Sequence, residues 1–403
     1  MNLFVCIKLM LLLLFAQLCH VGYSQTSWRF AVLGDTHVGS SDTVAEMIPF
    51  MQADSVHCVL VCGDLVEGGL ACTGVELQSQ LTNWKTIFAP LYNQGIRILP
   101  IRGNHEADAH NNINAWNTIF SGDYLLPQNG PTEELNLTYS FPYKNALFIG
   151  LDNYVSLHKI NQNWLNQQLA VNTAPHVFVF GHEAAFKVFH GDCLDDSLTA
   201  RNTFWQSLSQ AGVKSYFCGH DHFLDVATVD DGDIDQNNNV IQYLVGSGGG
   251  WLMDQYSNYN GTNGSYTLNR MDHDMEHGYA LVEVSGEGAN DCLVTITWKR
   301  RTWNGSTSSY DYLPTPNVVQ YTVCNSTEID LNSNSSISLS PNPASESITI
   351  SGISGKAQIF DANSKEIWAG DVGEGTNINI SNFKSGIYIL KINKLTKRFA
   401  VVK

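Results

Sequence analysis

From residue 28 to about residue 300, short apolar runs alternate with longer segments of mixed polarity. The runs at 28–34, 57–63 and 96–101 are strand-length and rich in Val, Ile, Leu and Phe. Within 75–93 the apolar positions Leu77, Leu81, Trp84, Phe88 and Leu91 recur three or four apart, the spacing of one helix face. Segment 41–53 also reads as a helix. A second series predicts strands over 146–151, 176–180 and 213–218, and helices over 162–170 and 199–211. The pattern then turns to strands alone, at 224–229, 240–245, 278–284 and 293–299. Mixed alternation followed by antiparallel-looking strands predicts an α/β domain with a layered sheet core. Two insertions, 107–135 and 250–277, carry no pattern that assigns an element and are expected to wall a pocket.

Both ends break this pattern. Residues 1–24 hold Lys8, a leucine-rich run over 9–18, and Gly22 and Ser24 before Gln25. The run is shorter than the ~20 residues of a membrane span, so it reads as a secretory signal peptide. No other stretch is long and apolar enough to cross a bilayer, so a mature chain without a transmembrane segment is expected. Residues 325–338, NSTEIDLNSNSSIS, are linker-like. Over 339–403, short alternating runs such as 347–350, 357–360, 377–380 and 387–392 are punctuated by Gly355, Gly370, Gly375 and Gly386. Even spacing of short strands predicts a small all-β sandwich. The expected organisation is therefore a signal peptide (1–24), a main domain (25–324), a linker (325–338) and a β domain (339–403).

Charge narrows the function. The 403 residues include 22 basic and 38 acidic side chains, net −16. Residues 336–403 hold 8 basic and 5 acidic residues, so the acidity lies in the main domain. A surface this negative excludes a basic nucleic-acid groove and disfavours anionic substrates unless bound cations neutralise the site. Of the nine cysteines, Cys6 and Cys19 fall in the leader. Cys58, Cys62 and Cys218 are expected as core thiols. Cys72, Cys193, Cys292 and Cys324 lie near loops, where export would permit pairing.

Polar residues cluster just beyond the carboxyl ends of five predicted strands, where α/β proteins place ligands. The first strand gives Asp35 and His37, the second Asp64, and the third Asn104 and His105. The fourth gives His182, and the fifth His220 and His222. Asp, Asn and His without Cys form an O/N donor set suited to Mn, Fe, Zn or similar metals. Seven ligands are too many for one such ion with an open position, and suit two ions sharing a carboxylate. Asp231, Asp233, Asp235 and Asn237 have the alternating oxygens of a calcium loop, but without its glycine and terminal glutamate they read as a hairpin tip.

In order, the blocks read Asp35-Thr36-His37, Gly63-Asp64-Leu65-Val66-Glu67, Gly103-Asn104-His105-Glu106, Gly181-His182-Glu183 and Gly219-His220-Asp221-His222. They resemble the calcineurin-like metallophosphoesterase superfamily, whose pattern runs DxH, GDxxD, GNHE, GHxx and GHxH. The resemblance implies a four-layer αββα sandwich with a dinuclear centre of two divalent or trivalent ions (Mn, Fe, Zn or Ni). Asp35, His37, Asp64 and His222 would hold one ion; Asp64, Asn104, His182 and His220 would hold the other. His105 would protonate the leaving oxygen and Glu67 would orient it, while Asn104 and His105 meet the charge on phosphorus. The reaction implied is in-line attack of a metal-bridging hydroxide on a phosphate ester. Gly68 replaces the Arg of protein phosphatases. Glu67 and His37 depart from purple acid phosphatases, which carry a Tyr ligand three residues after the bridging Asp.

Lys187, His190 and Asp192 lie near His182 in sequence and are candidate pocket groups; Arg102 and the glycines of 246–250 are candidate structural supports. The C-terminal segment resembles the type IX secretion sorting domain, through Ser340-Pro341-Asn342-Pro343-Ala344, Ile359-Phe360-Asp361, Lys384-Ser385-Gly386-Ile387-Tyr388 and the basic ending 397–403. It implies that machinery as partner and a secreted or cell-surface bacterial protein. Small organic phosphate monoesters are the expected substrates. A phosphodiesterase or nucleotidase is the alternative, and a non-catalytic binding protein the reading from another class.

Overall fold

The computed structural model describes residues 27–39, 43–233, 235–253, 261–288, 292–323, 338–352, 354–361, 365–392 and 395–403. The expected leader, all of the expected linker but Ser338, and Cys324 lie outside the described residues. The first half of the main domain runs β1 (Trp28–Leu33), α1 (Thr43–Ala53), β2 (Cys58–Val61), α2 (Gly74–Tyr92), β3 (Arg97–Pro100), α3 (Asn104–Ala107), α4 (Asn112–Ile119) and β4 (Tyr139–Tyr143). It continues through β5 (Ala146–Gly150), α5 (Gln162–Val171), β6 (His176–Phe180), α6 (Leu198–Gln210), β7 (Ser215–Cys218), β8 (Leu224–Asp230) and β9 (Val240–Val245). It closes with β10 (Gly261–Asn263), β11 (Tyr266–Asp274), β12 (Gly278–Val284), β13 (Leu293–Asn304) and β14 (Ser309–Thr322).

Two mixed sheets form among the described residues, in the orders β14-β13-β12-β1-β2-β3 and β10-β11-β8-β9-β7-β6-β5-β4. β1, β2 and β3 are parallel, as are β5, β6, β7 and β9, so each sheet brings its parallel carboxyl ends to one edge. The continuous apolar runs have a physical reason: these strands are buried on both faces. Phe148, Phe178, Phe180, Phe217 and Tyr243 point inward and pack with Trp28 and Phe30 of the first sheet. Their neighbours Ile149, Val179, Tyr216, Cys218 and Leu244 point outward, into a second core with Trp164, Leu165, Phe204 and Trp205 of α5 and α6. On the other side Met47, Met51, Leu77, Leu81, Trp84 and Phe88 of α1 and α2 cover the first sheet. The result is the expected αββα layering.

α2 shows how local sequence places the site. Thr73 caps it: its hydroxyl accepts the Glu76 N–H, and the Glu76 carboxylate accepts the Thr73 N–H, closing a capping box. The buried face then presents Trp84, whose indole N–H donates to the Thr36 hydroxyl at 3.2 Å, pinning the turn between Asp35 and His37.

Two expectations are corrected. The first insertion is not all loop: Trp116, Ile119 and Phe120 lie in the main core, with Phe120 against Trp84. Cys72 and Cys193 are free thiols, buried like Cys58, Cys62 and Cys218, whereas Cys292 is disulfide-bonded. No helix among the described residues is long and apolar enough to cross a membrane.

The C-terminal segment folds as β15 (Ser338–Ser340), β16 (Ser347–Ser351), β17 (Gly355–Phe360), β18 (Glu366–Val372), β19 (Thr376–Asn379), β20 (Gly386–Ile392) and β21 (Leu395–Val401). Sheets β15-β16-β19 and β18-β17-β20-β21 enclose Ile348, Ile350, Ile359, Leu390, Ile392 and Phe399, forming the all-β sandwich.

Phe30 bridges the sheets, edge-on to Phe148 at 5.0 Å and Phe178 at 4.8 Å. Phe30→Ala is expected to lower the stability of the main domain by about 3–5 kcal/mol. Denaturant unfolding of the full chain reads this, and a loss under 1 kcal/mol would show that the sheets do not depend on that contact.

Candidate metal centre

Every site block sits where a strand stops and the backbone turns sharply. Asp35, His37, Asp64 and His220 have φ of 55°, 38°, 48° and 76°, the left-handed region that residues with a Cβ rarely adopt. Ten such non-glycine residues occur among those described, and four are predicted ligands. Strain of this kind costs on the order of 1–3 kcal/mol each and persists where the surroundings over-determine it. Close approach adds a second constraint. A Cβ on Gly103 would lie 2.0 Å from Asp64 Oδ1, so only glycine lets this turn pass the carboxylate.

The predicted side chains converge. Asp35, His37, Asp64 and His222 form one buried cluster, and Asp64, His182 and His220 form another, so Asp64 belongs to both. His222 Nε2 lies 3.5 Å from Asp35, His37 Nε2 3.7 Å from Asp64, and His182 Nε2 3.4 Å from Asp64. The Asn104 side-chain oxygen is 3.0 Å from His182 Nε2, at the second cluster. His105 stands beside them, its ring 4.6 Å from that of His37 and its Nε2 4.0 Å from Asp64.

Hydrogen bonds to carbonyls orient the rings. His182 Nδ1 meets the Cys62 carbonyl at 2.7 Å and His222 Nδ1 meets the Trp251 carbonyl at 2.8 Å. A carbonyl only accepts, so in the neutral ring each Nδ1 carries the proton and each Nε2 turns a lone pair into the cluster. His105 Nδ1 is held the same way by the Glu67 carbonyl. The main chain of Glu67 thus orients His105, and its carboxylate lies 3.5 Å from His37 Nδ1.

Electrostatics show what the cluster lacks. Asp35 and Asp64 are buried, and among the described residues their ion pairs are with histidines alone. Burial, with Asp64 nearby, pushes Asp35 well above the usual carboxylate range. Burial opposes charge on His182 too, but Asp64 outweighs it and raises that imidazole to about 10. Burial and the nearby His37 depress His222 to about 4. Buried carboxylates facing oriented lone pairs, with no Lys or Arg ion pair, have the chemistry of a cation site.

A model of calcineurin-like phosphoesterases matches residues 29–224, the span that carries every one of these side chains. This segment belongs to that family. Residues 338–403 match the secretion system C-terminal sorting domain. The human tartrate-resistant acid phosphatase type 5 is 30% identical over 138 residues, which cover 33% of this chain and 38% of the human protein. A purple acid phosphatase from yellow lupin (Lupinus luteus) seeds is similar in structure, with a TM-score of 0.54 and 14% identity. That similarity covers 74% of this chain and 54% of the lupin chain. The chain thus spans between a third and about half of these relatives' lengths, and the lupin likeness bears on fold alone.

The phosphoesterase domain braces its centre with Glu106 and Asn153, which carried no such expectation, as well as with Arg102. Glu106, the last residue of the third block, is buried and accepts N–H bonds from Gly103 at 2.9 Å and Val66 at 3.0 Å, tying two ligand loops together. Arg102 is paired with Asp152 at 2.8 and 3.0 Å and with the Asn112 side chain at 2.7 Å, a structural role as expected. Asn153 accepts from the His182 and Glu183 amides at 2.9 and 3.1 Å. Asp152 and Asn153 follow a strand directly, so a sixth polar strand end was present in the sequence pattern. Of the candidate pocket groups, Asp192 lies 3.5 Å from His220 Nε2 and His190 packs 4.5 Å from the His220 ring, its Nδ1 on Asp221 at 2.6 Å. In the acidic hairpin, Asp231, Asp233 and Asp235 each accept the N–H two residues on, as turn residues do.

Asn153→Ala would leave two buried N–H groups unpaired, at about 1–3 kcal/mol each. The expected outcome is a lower unfolding midpoint together with reduced metal uptake, read by elemental analysis; wild-type values for both would refute the brace.

Proposed function

We propose that the chain is an exported, metal-dependent phosphomonoesterase acting on small organic phosphates. The observation that carries this is the pair of ligand clusters sharing Asp64, with His105 beside them and partly open to solvent. Asp35, His37, Asp64 and His222 would hold one cation, and Asp64, Asn104, His182 and His220 the other. The donor set fits Mn, Fe, Zn or Ni. Bound there, two cations supply the positive charge that attracts a phosphoryl group to an acidic protein and activates water.

The chain's own groups do the rest. The Asn104 amide and the His105 ring meet charge developing on the phosphoryl oxygens. His105 has its Nδ1 committed to the Glu67 carbonyl, so Nε2 is the atom that delivers a proton to the departing oxygen. Glu67 is a positioning residue for His105 and His37, acting through different groups. All the ligands that the family pattern requires are present, which favours catalysis over a non-catalytic binding role. The sorting-domain match supports bacterial secretion or surface display, with the type IX secretion machinery as partner, and the leader-like residues 1–24 agree with it.

Three measurements test this reading on the full chain. Loaded separately with Mn, Fe, Zn and Ni, the protein is expected to hydrolyse p-nitrophenyl phosphate faster than its bis-ester; the reverse order would make it a phosphodiesterase. His105→Ala is expected to lower kcat by about 10²–10⁴-fold with metal content retained, and unchanged turnover would remove His105 from the chemistry. Asp64→Asn is expected to lose both ions, so full metal content by elemental analysis would refute the shared ligand.

A further inference from the structure

The site's ring contacts form two rows, one on either side of Asp64, and each row ends in an exposed aromatic. Trp251 packs 5.3 Å from His222, and His222 lies 4.9 Å from His37. Across Asp64, His182 packs 5.0 Å from His220, His220 4.5 Å from His190, and His190 5.0 Å from Phe189. Trp251 is 66% exposed and Phe189 37%, whereas the histidines between them are buried or only partly open.

Trp251 is built into the site rather than scattered on the surface. It follows Gly246-Ser247-Gly248-Gly249-Gly250, which runs against the ligands: a Cβ on Gly250 would lie 2.7 Å from the His37 ring. Trp251 is therefore the first bulky side chain this turn presents. Its main chain is fixed on both sides. The Gly250 N–H donates to the Asp35 carbonyl at 2.8 Å, the Trp251 carbonyl holds His222, and the Met253 N–H donates to the His222 carbonyl at 3.2 Å. A large indole held at the mouth of a metal-type site, with its body in water, costs solvation unless a ligand covers it. The leaving group departs beside His105, and His105 packs on His37, in the row that ends at Trp251.

We infer that Trp251 is a specificity residue that stacks a planar aromatic group on the leaving alcohol, so that nucleoside and aryl phosphates are preferred over purely aliphatic esters. This rests on the phosphoesterase reading above and names its substrate class. Adenosine 5′-monophosphate and ribose 5-phosphate share a phosphorylated ribose and differ in the planar base. A single stack changes affinity by about fivefold to a hundredfold.

The test compares kcat/KM for these two esters in the wild-type chain, Trp251→Ala, Trp251→Phe and Phe189→Ala. The preference for the adenosine ester is expected to fall at least about fivefold in Trp251→Ala, and to be largely kept in Trp251→Phe and Phe189→Ala. An unchanged ratio in Trp251→Ala, or a larger loss in Phe189→Ala, overturns the assignment. If Trp251→Ala loses metal, Trp251→Leu, read by the same ratio, replaces it. If no ester is turned over, the phosphoesterase reading fails on its own. Calorimetric titration of the same two compounds then decides Trp251 separately: a stronger wild-type preference for the adenosine compound sustains it, and equal or no binding overturns it.

Discussion

Two carboxylates, Asp35 and Asp64, are buried side by side at the junction of two sheets, and the rest of the site answers that burden. A buried carboxylate without a cation or a hydrogen-bond donor is among the costliest arrangements in a protein. Here the donors are main-chain amides. Asp35 takes the His220 N–H at 3.0 Å, and Asp64 takes the His105 N–H at 3.0 Å. These bonds join the first block to the fifth and the second to the third, so loops far apart in sequence meet at the same two side chains. The left-handed turns at Asp35, His37, Asp64 and His220 are the conformations that let side chain and amide meet there. Protein dipoles satisfy part of the charge, and the histidine nitrogens mark where a cation would satisfy the remainder.

The double sheet makes such a junction possible. Parallel strands end together, and their carboxyl ends leave loops free to turn inward at one edge. Because both faces of each strand are buried, the frame beneath those loops is rigid at the level of individual side chains. Trp84 reaches from α2 to Thr36, and Arg102 ties β3 to the loop after β5. The helix layers thus do more than cover the sheets: they fix the turns that aim the ligands.

How much of this was legible in the sequence follows from the range of each interaction. The five blocks were visible because each ligand stands within a few residues of a strand end, a local signal. Largely apolar strands such as β6 and β7 were visible for the same reason. Strand β14 was missed: its register against β13 shifts near Pro314, and it is an edge strand exposed at many positions, which removes the apolar signal. α4 was missed because its three core residues lie in a short segment between polar neighbours. The braces Glu106 and Asn153 escaped notice because each acts on a partner far away in sequence. Val66 is 40 residues from Glu106, and His182 is 29 from Asn153. A buried Glu or Asn looks like any surface polar residue until the fold brings its partner.

Position 67 shows why shared architecture does not transfer chemistry. The lupin enzyme has this fold, and the human phosphatase shares sequence over 138 residues. Purple acid phosphatases were expected to carry a ligating Tyr where this chain has Glu67. A phenolate there would bind metal directly and produce the colour of that class. Glu67 instead divides its work. The carbonyl fixes the tautomer of His105, and the carboxylate faces His37 Nδ1 at 3.5 Å, beside the ring that would supply the extra nitrogen ligand. A Tyr at this position has no carboxylate to face His37, so His37 and Glu67 form a unit that one substitution would break. The proposed first cation position would then be built from imidazole and carboxylate rather than phenolate. Its affinity and its spectrum would follow from this pair rather than from the shared fold.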